Sequence, residues 1–193
     1  MPSLGKFAGT ILVAGCLAAS AAAQEAPSVA VVSEFEKACV AGELTLVARK
    51  VALEEAGWTQ APADNLNMVE FAVVPTIQRN FSYGKPLTTE HFTKMFEGQA
   101  IHAVLASFDP KNRYPNLCAV VVSGVKNVGS PIRYTDAFRD VAKSRGLKGK
   151  SVDLPHYFEY SGKLSDGRPA RSDIFSRSRA FGGANDMHMT FAF

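Results

Sequence analysis

The nine residues Leu117 to Val125, Leu-Cys-Ala-Val-Val-Val-Ser-Gly-Val, constrain this chain more than any other stretch. They are short, almost wholly apolar and rich in β-branched side chains, the pattern of a strand covered on both faces. The run carries Cys118, one of three cysteines in the sequence. Cys16 lies in a leader-like segment, so Cys39 and Cys118 are the pair left to a folded domain. Cys39 falls on a stretch with helical spacing far upstream. A Cys39–Cys118 disulfide would strap an N-terminal helical part onto the middle of a sheet. Closing so long a loop lowers unfolded-state entropy by about 4–5 kcal/mol in the chain-entropy model.

Residues 1–23 read as a secretory signal. Lys6 supplies the positive start, Phe7 to Ala19 an apolar run, and Ala21-Ala22-Ala23 the small-residue pattern for cleavage before Gln24. The run is shorter and richer in Ala and Gly than the roughly 20 apolar residues a membrane span requires, and no later segment approaches that length. Val13-Ala14-Gly15-Cys16 resembles the bacterial lipobox. On that alternative the protein is a lipoprotein anchored at Cys16. Either route leads to a periplasmic or secreted protein in an oxidising compartment.

Residues 24–193 then form a single domain. With 47% hydrophobic and 20% charged residues the chain has a globular composition, which excludes a disordered one. A domain of this size buries a core without heavy cross-linking, so one disulfide is reinforcement. The formal charge of +3 hides an asymmetry: residues 24–110 hold six basic against eleven acidic side chains, and residues 111–193 fourteen against seven. The two halves complement each other across the domain, or the basic half faces an anionic partner.

Ser33 and Glu36 fit a capping box, and Phe35, Ala38 and Cys39 share a helical face that stops at Gly42. A second helix is expected over Leu44 to Ala56. Its buried stripe is Leu44, Val47, Ala48 and Val51, with Arg49, Lys50, Glu54 and Glu55 on the wet side. Met68 to Val74 reads as a strand ended by Pro75. Thr88 or Thr89 caps a short helix through Phe96. Ala100 to Phe108 and the Cys118 run are strands joined by a polar loop. Pro131 and Gly146 bracket a helix over Ile132 to Arg145, with Phe138, Val141 and Ala142 inward. Leu154 to Leu164 and Ala170 to Ala180 flank Ser165-Asp166-Gly167-Arg168, a hairpin signal. Met187, Met189, Phe191 and Phe193 alternate to the last residue. No internal repeat is visible. The expected fold is α+β: an antiparallel sheet of about five to six strands, with an N-terminal helical hairpin and one later helix packed on it.

No motif for catalysis stands out. Ser123-Gly124 lacks the context of a nucleophile elbow, and no carboxylate pair has a setting that would separate two pKa values. His156, Glu159 and His188 form the one polar set that neighbouring C-terminal strands could gather, as in a small hydrolase or metal-binding enzyme. Met187-His188-Met189 suits Cu(I) by ligand type, but its methionines complete an apolar strand face, and no cofactor is expected. The final seven residues resemble the C-terminal signal of outer-membrane β-barrels; the capped helices contradict a barrel. Arg139, Lys143, Arg145, Lys148 and Lys150 form one basic run, and Arg168, Arg171, Arg177 and Arg179 another. If the runs meet in space, an anionic envelope polymer or a lipid headgroup is a fitting partner; another envelope protein is the other candidate. Nucleic acid is not expected for an exported chain. The expectation is a non-catalytic binding or envelope-assembly module.

Overall fold

The computed structural model describes residues 27–62, 86–125, 131–151, 157–178 and 185–193. Helix α1 (Pro27–Phe35) continues into one π-helical turn (Glu36–Val40), followed by α2 (Leu46–Glu55). Next come β1 (Thr59–Gln60), β2 (Thr88–Phe96), β3 (Gln99–Ser107), β4 (Asn116–Val125) and α3 (Pro131–Ser144). The chain closes with β5 (Lys148–Ser151), β6 (Tyr157–Lys163), β7 (Pro169–Ser178) and β8 (Asn185–Ala192). The eight strands form one antiparallel sheet in the order β1-β2-β3-β4-β8-β7-β6-β5. The α+β class is as expected, with more strands than the five to six anticipated. Two of the additions, β1 and β5, are short edge strands that carry no apolar alternation.

The sheet is two four-stranded meanders joined at β4 and β8. Each meander follows a helix that ends in the same way. Gly57 (φ +81°) and Gly146 (φ +75°) take the left-handed conformation that glycine adopts without strain. The next residue then donates back into the helix, Trp58 N to Leu53 O and Leu147 N to Ala142 O. The repeat is one of connectivity and capping, invisible in the side chains.

The described helices lie on one face. Cys118, Val120 and Val122 of β4 and Met187, Met189 and Phe191 of β8 point there with Phe193, against Phe35, Ala38, Cys39, Leu53 and Phe138. The methionines are fully buried core residues. Phe138 stacks on Phe35 and meets Tyr160, at centroid distances of 5.5 and 5.8 Å. The Cys39–Cys118 disulfide is present, with 5.3 Å between Cα atoms and both residues fully buried. It joins the π-helical turn to the central strand.

Three local expectations are corrected. Residues 88–96 form a strand, not a short helix. Phe92, Met95 and Phe96 fit helical spacing, but all nine residues pair with β3, and Glu90 and Lys94 alternate with Phe92 to meet polar groups on the helices. The first helix is already under way at Pro27, so Ser33 lies inside it and caps nothing. On α2 the stripe is displaced: Val47 and Val51 are 76% and 47% exposed, whereas Arg49 is 2% exposed and Leu53 fully buried. Thr45 caps α2 by accepting from Ala48 N at 3.1 Å, and that start turns Leu53 and Arg49 inward. The expected strand at residues 68–74 lies outside the described residues.

Candidate anion-binding cleft

Carbonyls from within and just after the π-helical turn receive three arginines. Arg49 Nη1 reaches Ala38 O at 3.4 Å. Arg145, just past the end of α3, donates from Nη2 to Val40 O and to Gly42 O, the latter at 2.9 Å. Arg168, in the β6–β7 turn, donates from Nη1 to Leu44 O at 3.1 Å. Cations here complement the negative end of a helix dipole. Gly42 is required at its position: φ is +79°, and a Cβ there would lie 3.2 Å from Arg49 Nη2.

Arg145 and Arg168 thereby become two walls of one cleft of about 500 Å³, with Lys163, Ser144, Ser165, Glu43 and Asp166 also around it. One member of each basic run, Arg145 and Arg168, lines the cleft. Lys163, which belongs to neither run, is exposed and completes the cationic set. Asp166 orients Arg168: it accepts from Arg168 Nε at 2.7 Å and from Arg168 N at 3.0 Å, bonds that hold its carboxyl below the usual range. Behind the wall, burial lowers the pKa of Arg49, and the nearby Arg145 charge lowers it further, against a smaller opposing effect of Glu43. The cleft is a place where positive charge is crowded and incompletely balanced.

The other basic residues do not join it. Arg139 pairs along α3 with Asp136 at 2.6 Å and with Asp140 at 3.4 Å. Lys143 and Lys148 are exposed and do not line the cleft. Lys150 lies on β5 opposite Glu159 of β6. Arg171 is on the far face of the sheet, Arg177 lies on β7, and Arg179 is outside the described residues.

That far face carries a second polar cluster. Arg171 bonds both oxygens of Asp173, with Nε at 3.2 and 3.1 Å, and donates from Nη2 to Tyr157 Oη at 2.8 Å. Its Nη2 also pairs with Glu159 at 3.1 Å. Asp173 also accepts from Tyr157 Oη at 2.9 Å and from Thr190 Oγ1 at 3.4 Å. Burial pushes Asp173 up to about 6, against the pull of Arg171; the nearby Glu159 charge adds to the rise. Burial and the Asp173 charge raise Tyr157. Arg171 is raised because its carboxylate partners outweigh burial. His188 lies on the same face, edge-on to Phe175 at 6.1 Å. Glu159 pairs across β7 in the row of Asp173 and Thr190, and His188 in the row of Phe175 and Tyr157. Glu159 and His188 thus share one face but lie on strands separated by β7, not on neighbouring strands; His156 lies outside the described residues. No cluster of three metal-ligating side chains occurs among the described residues.

Sequence reasoning missed Tyr157, Arg171 and Asp173 as a group. The Asp166-Gly167 turn was the usable signal. A hairpin centred there sets Tyr157 opposite Phe175 and Glu159 opposite Asp173, as observed.

The fold and the cleft define an α+β protein with a disulfide-strapped helical layer and a cationic depression at one end of that layer. Comparison with protein-family models, curated proteins and solved structures gives no match. No helix among the described residues is long and apolar enough to cross a membrane.

Proposed function

We propose that this protein is an exported, non-catalytic binding module of the bacterial envelope, and that it holds an anionic envelope component in the Arg145–Lys163–Arg168 cleft. One observation carries the reading: Arg145 and Arg168, distant in sequence, line a single cleft of about 500 Å³ together with Lys163. Arg145 and Arg168 each spend one nitrogen on a carbonyl rail and keep further N–H donors for a ligand, and guanidinium groups suit carboxylate and phosphate oxygens. Export is supported by the leader-like residues 1–23 and by the Cys39–Cys118 disulfide, which is at home in an oxidising compartment.

Calorimetric titration with inorganic pyrophosphate tests the site. Binding is expected to weaken as salt rises and to be lost in Lys163→Glu, a change at an exposed side chain that leaves the fold intact. Salt-independent binding, or binding unchanged in Lys163→Glu, would refute the assignment. N-terminal mass analysis of the exported protein tests the compartment: Gln24 as first residue is expected, and an acylated Cys16 would make it a lipoprotein.

A further inference from the structure

We infer that the anion held in the cleft is the acidic end of a polypeptide segment from a partner protein, and that the apolar part of that segment lies along α2. The inference rests on the anion-binding reading above. Gly42 and Glu43 line the cleft and also a second groove of about 780 Å³, so the two depressions share a wall. The groove follows the outward side of α2 past Val47, Ala48, Val51 and Ala52 to Glu55.

Val47 and Val51 stand one helical turn apart and are two of the few large hydrophobic side chains left exposed among the described residues. Glu54 and Glu55, both exposed, end the helix. From one end to the other the surface therefore reads cationic, apolar, acidic. The intervening charges are already opposed: Glu43 acts on buried Arg49, and Lys37 pairs with Glu34 at 3.2 Å. Ten helical residues span about 15 Å, the reach of about five residues of extended chain, and the cleft lengthens that path.

A small anion would leave the Val47–Val51 stripe unused. An anionic bilayer would meet Glu54 and Glu55 beside that stripe and be repelled. A segment with acidic residues at one end, apolar residues in the middle and basic residues at the other end complements all three zones.

The test uses two fluorescein-labelled ten-residue peptides of the same composition in an anisotropy titration at low salt. One carries basic, apolar and acidic residues in blocks; the other interleaves the charges. The blocked peptide is expected to bind at least about tenfold more tightly. Lys163→Glu and Val51→Asp are each expected to weaken it about tenfold. Val51→Asp should leave pyrophosphate binding and thermal stability unchanged. Equal binding of the two peptides, or no effect of Val51→Asp, would overturn the partner assignment. So would adsorption to phosphatidylglycerol vesicles that is lost in Val51→Asp, in favour of a lipid surface. If the wild-type protein binds pyrophosphate but not the blocked peptide, the partner alone is refuted; if it binds neither, the cleft is refuted as well.

Discussion

Replacing Cys118 by alanine tests the architecture most directly. The bond closes a loop with a sequence separation of 79. In the chain-entropy model a loop of that length destabilises the unfolded state by about 4.5 kcal/mol at 25 °C. In a domain of this size each kcal/mol moves the midpoint by about 2–4 °C, so the expected loss is about 9–18 °C. The same shift is expected of Cys39→Ala, because either change opens the same loop. The double variant should fall no further than a single one by more than about 2 °C, since the loop entropy is lost only once. Far-UV circular dichroism melts of the oxidised wild type and the three variants provide the measurement. Two single variants differing by more than about 4 °C, or a double variant showing the sum of both shifts, would mean that local packing rather than the covalent loop sets the stability.

Glu34 is nearly buried between Lys94 at 2.6 Å and Lys37 at 3.2 Å, and burial, which would raise its pKa, is outweighed by the two ammonium groups, so the carboxyl stays below its usual range. Lys94→Met strips the nearer partner from a buried charge and also frees Ala56 O; a loss of about 3 kcal/mol by urea denaturation is expected, and Glu34→Gln in that background should recover part of it. The pH dependence of stability should contain two opposed contributions. Glu34, with a depressed folded pKa, stabilises above its unfolded value of 4.5 and loses that contribution as pH falls. Asp173, raised from 3.8 to about 6, does the reverse: its contribution is full below 3.8 and is lost as pH rises through about 6, with a cost on the order of 3 kcal/mol at neutral pH. Denaturant midpoints from pH 5 to 7.5 should therefore show a downward slope that Asp173→Asn flattens, and a slope unaltered by that change would refute the role given to Asp173.

The central sheet was legible because its signals are local. The β-branched run around Cys118, the Asp166-Gly167 turn and the alternation from Met187 to Phe193 each specify a strand or its register without outside help. The failures share a different cause. In residues 88–96 the same side chains satisfy both a helical and an alternating pattern, and the nine-residue pairing with β3 decides between them. On α2, Val47 and Val51 look like the buried stripe because apolar residues usually are. The observed face follows from the Thr45 cap and from Arg49 finding a carbonyl on another element. The cleft was half legible: both basic runs stand out in the sequence, but nothing local indicates that Arg145 and Arg168 share a target or that Lys163 joins them.

Residues 38–44 are where stability and site coincide. Cys39 fixes this segment covalently to β4. The carbonyls of Ala38, Val40, Gly42 and Leu44 then receive Arg49, Arg145 and Arg168. Guanidinium groups so held lose little further side-chain entropy when an anion arrives, which is the preorganisation a weak electrostatic site requires. The ordering cost of the cleft is therefore met at folding, by the disulfide and the carbonyl rail together. Arg145 and Arg168 would be free to disperse if the segment were released. The covalent strap and the cationic cleft are on this account one device, with the strap setting where the rail lies and the rail setting where the charges point.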